Sequence, residues 1–182
     1  MKTIGYTHGR FQPFHSGHLS ILLYILDNYD ELWVGISNPL RRLPQNIDSY
    51  DQDLKKSILV GRSDAKNIFT FLEREQMIRE SLKDEGVDLS RVKIYPHFGY
   101  YEEDNWADFL PPKELTTIVL HCKDVHHDKK FVYYKKNGWK TEAIPLLREG
   151  YSGTKFHKEY PGGNWQNLVP AGTKRVLDSL KN

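Results

Sequence analysis

The stretch Gly9-Arg10-Phe11-Gln12-Pro13-Phe14-His15-Ser16-Gly17-His18-Leu19 limits the folds open to this chain more than any other. Ahead of it, Thr3-Ile4-Gly5-Tyr6-Thr7 reads as a short extended run, and behind it Leu19, Leu22, Leu23 and Leu26 recur at helical spacing. A strand therefore passes through a glycine-containing turn into an amphipathic helix. The first N–H groups of such a helix have no intrahelical partners and its macrodipole is positive there, so the junction is an anion site. His15 and His18, at i and i+3, flank the first turn and share a face. Phosphate is the expected guest.

The 182 residues suit one domain, 1–182, with a single sizeable core. A formal net charge of +2 gives no general case for a nucleic-acid or membrane partner. No apolar run approaches membrane-spanning length and the N-terminus opens directly into a strand, so a cytoplasmic protein is expected. Cys122 is the only cysteine, which excludes an internal disulfide and any multi-cysteine zinc site.

Further along, Glu31-Leu-Trp-Val-Gly-Ile36 reads as a strand parallel to the first, completing a βαβ unit, and Ser37-Asn38-Pro39 breaks it. Residues 39–66 have little periodicity and read as an insertion or flap, with a short helix near Asp53 to Leu59. Arg41, Arg42, Lys55, Lys56 and Arg62 make it either a solvated basic loop or a flap on phosphates. Thr70-x-x-Glu73 is a capping box opening a helix to Leu82, with Phe71, Ile78 and Leu82 on its apolar face. Glu73 and Arg74 read as a cap and a surface pair, and Gly86 closes the helix.

Arg91–Tyr95, Leu115–Leu120 and Trp139–Ile144 supply the third, fourth and fifth strands, with Gly138 ending the helix before the last. Tyr100–Leu110, acidic and aromatic, offers Trp106 either to a flat heterocycle or to the core. His126, His127 and Asp128 follow the fourth strand, but spacing places no further ligand beside them and no metal site is assigned. Ser152 and Thr154, with Gly153 between, offer hydroxyls and free amides to an anion, or simply cap a helix. A C-terminal helix runs from about Ala171 to Leu180. The alternation predicts an α/β fold, a Rossmann-like doubly wound sheet of five parallel strands in the order 3-2-1-4-5. The histidine motif then lies at the topological switch point.

His-x-Gly-His after such a strand is similar to the signature of the HxGH nucleotidylyltransferase superfamily. The longer GRFQPFHSGH string resembles the nicotinamide mononucleotide (NMN) adenylyltransferases of archaeal type. Residues 67–78 resemble that family's N-P-F-T-x-x-E-R-x-x-M-I helix, with Ile68 in place of proline, and Trp165-Gln-Asn-Leu-Val-Pro170 matches its W-x-x-L-V-P ending. The family's Ser-Gly-Thr-x-Ile-Arg becomes Ser152-Gly153-Thr154-Lys155-Phe156-His157, followed by Lys158. Of the two replacements, only Lys158 is permanently charged at neutral pH.

The resemblance implies transfer of a nucleoside monophosphate from a triphosphate to a phosphate-bearing acceptor, with release of pyrophosphate. AMP passing from ATP to NMN, giving NAD, is the first pairing. The second is a cytidylyltransferase or adenylyltransferase acting on a small phosphate or phosphonate, with CTP or ATP. It follows from three departures from the family taken together: the insertion at 39–66, the altered strand end at 121–130, where the family carries a Ser/Thr-x-Asn-type sequence, and His157 in place of the arginine. A third reading, from another class, is a nucleotide-binding module without catalysis. His15, His18 and Arg10 are the expected catalytic residues, with His18 nearest the α-phosphate and Arg10 on the acceptor's phosphate. Gly9, Phe11, Gly17, Ser152, Gly153, Thr154 and Lys158 would hold nucleotide and phosphates, and Trp106 and Asn38 the acceptor. Mg²⁺ would bridge phosphate oxygens with few protein ligands. A homo-oligomer is expected from the same resemblance.

Overall fold

The computed structural model describes residues 2–39, 67–97, 110–122, 125–126, 128–145 and 150–180. The basic residues Arg41, Arg42, Lys55, Lys56 and Arg62, the short helix near 53–59, Trp106 and His127 lie outside them. Strands β1 (Ile4–Gly9), β2 (Glu31–Ser37), β3 (Val92–His97), β4 (Thr116–His121) and β5 (Lys140–Ile144) form one sheet in the order β3-β2-β1-β4-β5. Every pairing is parallel. This is the expected doubly wound order, and β1 sits at its centre.

Helix α1 (Ser16–Asn28) follows β1, α2 (Phe71–Asp84) precedes β3, and α3 (Lys129–Lys136) precedes β5. Helices α4 (Gly153–Glu159) and α5 (Ala171–Ser179) complete the described chain. The capping box of α2 is present in full. Glu73 N–H donates to Thr70 Oγ1 at 3.3 Å, and Thr70 N–H donates to Glu73 Oε2 at 2.7 Å.

Side chains alternate across β1 and so divide the core in two. A Cβ on Gly5 would run into Ile25 and Tyr29, which places α1 on that face. Leu22, Ile25, Val34, Ile36, Met77, Ile78, Val176 and Leu177 fill the larger cluster between this face and α1, α2 and α5. Tyr6 points the other way, into a second cluster with Ile118, Phe131, Tyr134 and Trp139 under α3.

All five strands differ from the sequence reading by one or two residues at an end, and two of these limits have a plain physical cause. β3 runs through Pro96 to His97, because β3 is an edge strand and a missing ladder donor costs nothing on its open side. β5 starts at Lys140, because Trp139 N–H closes the end of α3 by donating to Tyr134 O at 3.0 Å, after Gly138 turns the chain at φ 74°.

Gly35, in register between His8 of β1 and Tyr95 of β3, presents no side chain over the middle of the sheet, and neighbouring groups close over it. The Tyr6 hydroxyl and the Cβ of His8 occupy the space a side chain would take there. Gly35→Ala is expected to overpack this patch and to cost about 1–3 kcal/mol. The check is the urea midpoint, and an unchanged midpoint would show that the patch has room.

Candidate active site

His15 is the N-cap of α1, with extended backbone at φ −117°, and His18 is the third residue of the helix. The His15 N–H donates to His18 Nδ1 at 3.3 Å, so one imidazole closes the helix end in the way a capping-box glutamate does. The rings stack 3.6 Å apart, and the edge of Phe11 packs on His18 at 4.8 Å. Phe11 takes φ 50°, unusual for a residue with a side chain, where the chain turns out of β1. A Cβ on Gly17 would sit 3.2 Å from the His15 ring, so glycine is what lets the helix start this close beneath the imidazole.

Burial pushes His15 down to about 4, and it pushes His18 well below its ordinary value, with the His15 ring as a second cause. Both imidazoles are neutral at pH 7. Among the described residues, His15 Nδ1 is buried and has no hydrogen-bond partner.

Two clasps hold this turn against the rest of the sheet. Gln12 Nε2 donates to Phe69 O at 2.7 Å, and Phe69 N–H returns a bond to Gln12 Oε1 at 2.9 Å. Arg74 is the second clasp, and here the structure corrects the expected surface pair. Its side chain is fully buried and donates to Arg10 O at 2.7 Å, Ser37 O at 2.8 Å, Asn38 O at 2.8 Å and Thr70 O at 3.1 Å. Burial lowers it to about 10, with Glu73 opposing, and it remains a cation at neutral pH. Four carbonyl dipoles replace a carboxylate partner, which sequence spacing alone does not reveal.

Two cavities open around the histidine pair. One, of about 490 Å³, is lined by His8, Gly9, Gly17, Lys130 and Ser152 among others. The other, of about 440 Å³, is lined by Arg10, Gln12, Thr154, His157 and Lys158. Phe11, His15, His18 and Gly153 line both. The structure thus brings together the expected residues of the β1–α1 turn and of the α4 start. Asn38 lines neither cavity; it takes φ 50° and joins the site through its carbonyl on Arg74. Ser152 does cap α4, its Oγ accepting from Lys155 N–H at 3.1 Å, while still lining the first cavity. His157 lies beside Arg10; burial lowers it most, Arg10 adds to that, and the Gln12 carbonyl opposes.

Sequence reading missed a polar layer under the first cavity. His8 and His97 stack at 4.1 Å across β2. Tyr134 Oη lies 3.2 Å from His8 Nε2, and Tyr6 Oη 2.9 Å from His97 Nδ1. Burial drives His8 well below its ordinary value, with His97 and Lys130 as further causes, and it takes His97 to about 3. The available signal was the alternation in β1, which sets Tyr6 and His8 on one face. Among the described residues no group of three or more His, Cys, Asp and Glu is arranged to hold a metal ion.

His8, His15 and His97 bind fewer protons folded than unfolded once pH falls below about 6.5, so acid favours the unfolded chain. Stability is therefore expected to fall as pH drops through that value, with His15 alone contributing about 3 kcal/mol of loss by about pH 4. Melting temperatures across pH 4–8 check this. A flat profile below pH 6.5 would mean that these imidazoles titrate freely.

Residues 6–158 match the Cytidylyltransferase-like family. A nicotinamide-nucleotide adenylyltransferase from Saccharolobus solfataricus is 32% identical over 179 residues, covering 95% of this chain and 88% of that protein. A phosphonoformate cytidylyltransferase from Streptomyces viridochromogenes is 29% identical over 175 residues, covering 95% and 89%. Among solved structures, a bifunctional NMN adenylyltransferase/ADP ribose pyrophosphatase from Francisella tularensis shares the fold, with a TM-score of 0.70 at 24% identity. This chain is covered completely and spans 51% of that larger one. No described helix is long and apolar enough to cross a membrane.

Proposed function

The chain belongs to the cytidylyltransferase-like family and is a nucleotidyltransferase, and from that premise we propose that it transfers AMP from ATP to NMN, giving NAD and pyrophosphate. The observation that carries this reading is the stacked His15–His18 pair at the start of α1, open to both cavities. An oxygen of the acceptor's phosphate attacks the α-phosphorus, the bond to the β-phosphate breaks, and pyrophosphate leaves. The acceptor is already an anion at pH 7, so a general base has little to add. Charge neutralisation and in-line placement do the catalysis.

His18 takes the position nearest the α-phosphate, and His15 the neighbouring phosphate oxygens. The second cavity, with Arg10, Thr154, His157 and Lys158, suits the β- and γ-phosphates. Arg10 stands within electrostatic reach of both Lys130 and His157, which favours a place for its guanidinium fork where the two cavities meet. Burial and Arg10 disfavour a proton on His157 and a bound polyanion works against them, so Lys158 is the permanent cation offsetting in part the arginine that the resembling family carries there.

The donor set around the motif is imidazoles, hydroxyls and cations. The carboxylate of Asp128 caps α3, its Oδ1 accepting from Lys130 N–H and Phe131 N–H, both at 3.0 Å. This fits a Mg²⁺ that arrives on the triphosphate as part of the substrate, rather than one held in a protein cage. Such an ion neutralises charge on the phosphate chain when bound.

A second reading is cytidylyl transfer to a small phosphonate, favoured by the likeness to the phosphonoformate enzyme and by the cationic wall at Lys130. Pyrophosphate release with Mg²⁺, each of four nucleoside triphosphates, and NMN or phosphonoformate tests both. ATP with NMN is the expected productive pair. Release only with CTP and phosphonoformate favours the second reading, and no release from any pair contradicts transfer altogether. His18→Ala is expected to lose about a hundred-fold or more in turnover with its circular dichroism unchanged. Near-normal turnover would remove His18 from the mechanism.

A further inference from the structure

Lys130 is a cation of the first cavity with no part in the steps above. It is the second residue of α3, at the helix end where the macrodipole disfavours positive charge. Among the described residues its ammonium makes no hydrogen bond and no ion pair, while its backbone N–H donates to Asp128 Oδ1 at 3.0 Å. Burial lowers its pKa and the Arg10 guanidinium pushes the same way, with Asp128 alone opposing. Its other electrostatic neighbours are His8 and His97, which burial holds neutral. Those two rings are anchored by Tyr134 and Tyr6, so they form a fixed, uncharged floor.

The one carboxylate near the ammonium, Asp128, commits its Oδ1 to the cap of α3 and makes no ion pair with it among the described residues, so an anion in the cavity would supply the ion-pair partner it lacks. The side of the site it occupies indicates which anion. His8 and His97 stand at the carboxyl ends of β1 and β3, whereas the cations suited to the β- and γ-phosphates line the other cavity, which Lys130 does not reach. We propose that the Lys130 ammonium is a further catalytic residue, hydrogen-bonding the acceptor's phosphate or phosphonate group and holding its attacking oxygen in line with the α-phosphorus. As the new P–O bond forms, the bond to the β-phosphate breaks and pyrophosphate takes the electron pair. Lys130 keeps its protons throughout. This rests on the nucleotidyl-transfer reading.

The test uses wild type, Lys130→Met and Lys130→Arg in equilibrium titrations with NMN, phosphonoformate, inorganic phosphate and ATP. The methionine variant is expected to lose about ten-fold or more in affinity for whichever acceptor anions wild type binds, to keep its ATP affinity, and to melt no lower. Affinity for those anions in wild type should fall as pH rises and the ammonium loses its proton, while the arginine variant restores binding and flattens that fall. Asp128, Arg10, His8 and His97 are the groups facing the ammonium throughout. Unchanged acceptor affinity in the methionine variant, a change confined to ATP, or failure of all three acceptor anions to bind wild type overturns the role of Lys130. Absence of pyrophosphate release by wild type, with Lys130-dependent binding intact, instead defeats the transfer reading and the catalytic half of the proposal, leaving an anion-binding lysine.

Discussion

The buried guanidinium of Arg74 is the constraint on which the rest of the site depends. It gathers the carbonyls of Arg10, Ser37, Asn38 and Thr70, which belong to the turn after β1, the end of β2 and the start of α2. A planar fork of fixed donors can serve several carbonyls at once, which the single ammonium of lysine cannot match. Removing a buried cation from this arrangement strands its acceptors at about 1–3 kcal/mol each. The Gln12–Phe69 pair works in parallel, holding the turn to the segment before α2. Through these two clasps the helix that carries the histidines and the strand end that carries Asn38 become one rigid unit. Catalysis by placement needs this, since an error of about 1 Å can cost a hundred-fold in rate.

Electrostatics sharpen the same picture. The site holds neutral imidazoles at its centre and cations around them: Arg10 and Lys158 beside His157, and Lys130 above the His8–His97 stack. Nearly every buried titratable group there is displaced toward its uncharged form by burial. A triphosphate and an anionic acceptor bring the missing negative charge, and each imidazole then becomes more basic. The proposed preference for polyanions follows from what the fold buries, and among the described residues lining the two cavities the one carboxylate, Asp128, is engaged in capping α3.

Much of this was legible in the chain, and the limit is physical. Strand order, the β1–α1 junction, the α2 capping box and the Ser152–Thr154 start of α4 rest on patterns within about ten residues, where hydrophobic period and cap chemistry speak directly. The parts that escaped are those made by distant segments. Arg74 reads as a surface residue until the ends of β1 and β2 are brought to it. His8 and His97 are 89 positions apart in the sequence, and only the 3-2-1 strand order with Gly35 between stacks them. Lys130 belongs to the site only once α3 is packed beside β1, which no local pattern in the sequence shows. The third strand, expected over Arg91–Tyr95, runs on through Pro96 to His97, because an edge strand accommodates a residue without a ladder donor.

Direct transfer between two substrates held in line is the central claim, and the stereochemical course at the α-phosphorus tests it most directly. With an ATP analogue made chiral at that phosphorus, and NMN as acceptor, the product is expected to form with inversion of configuration. Retention would contradict it, since retention requires an even number of displacements and therefore a covalent nucleotidyl intermediate on a protein side chain.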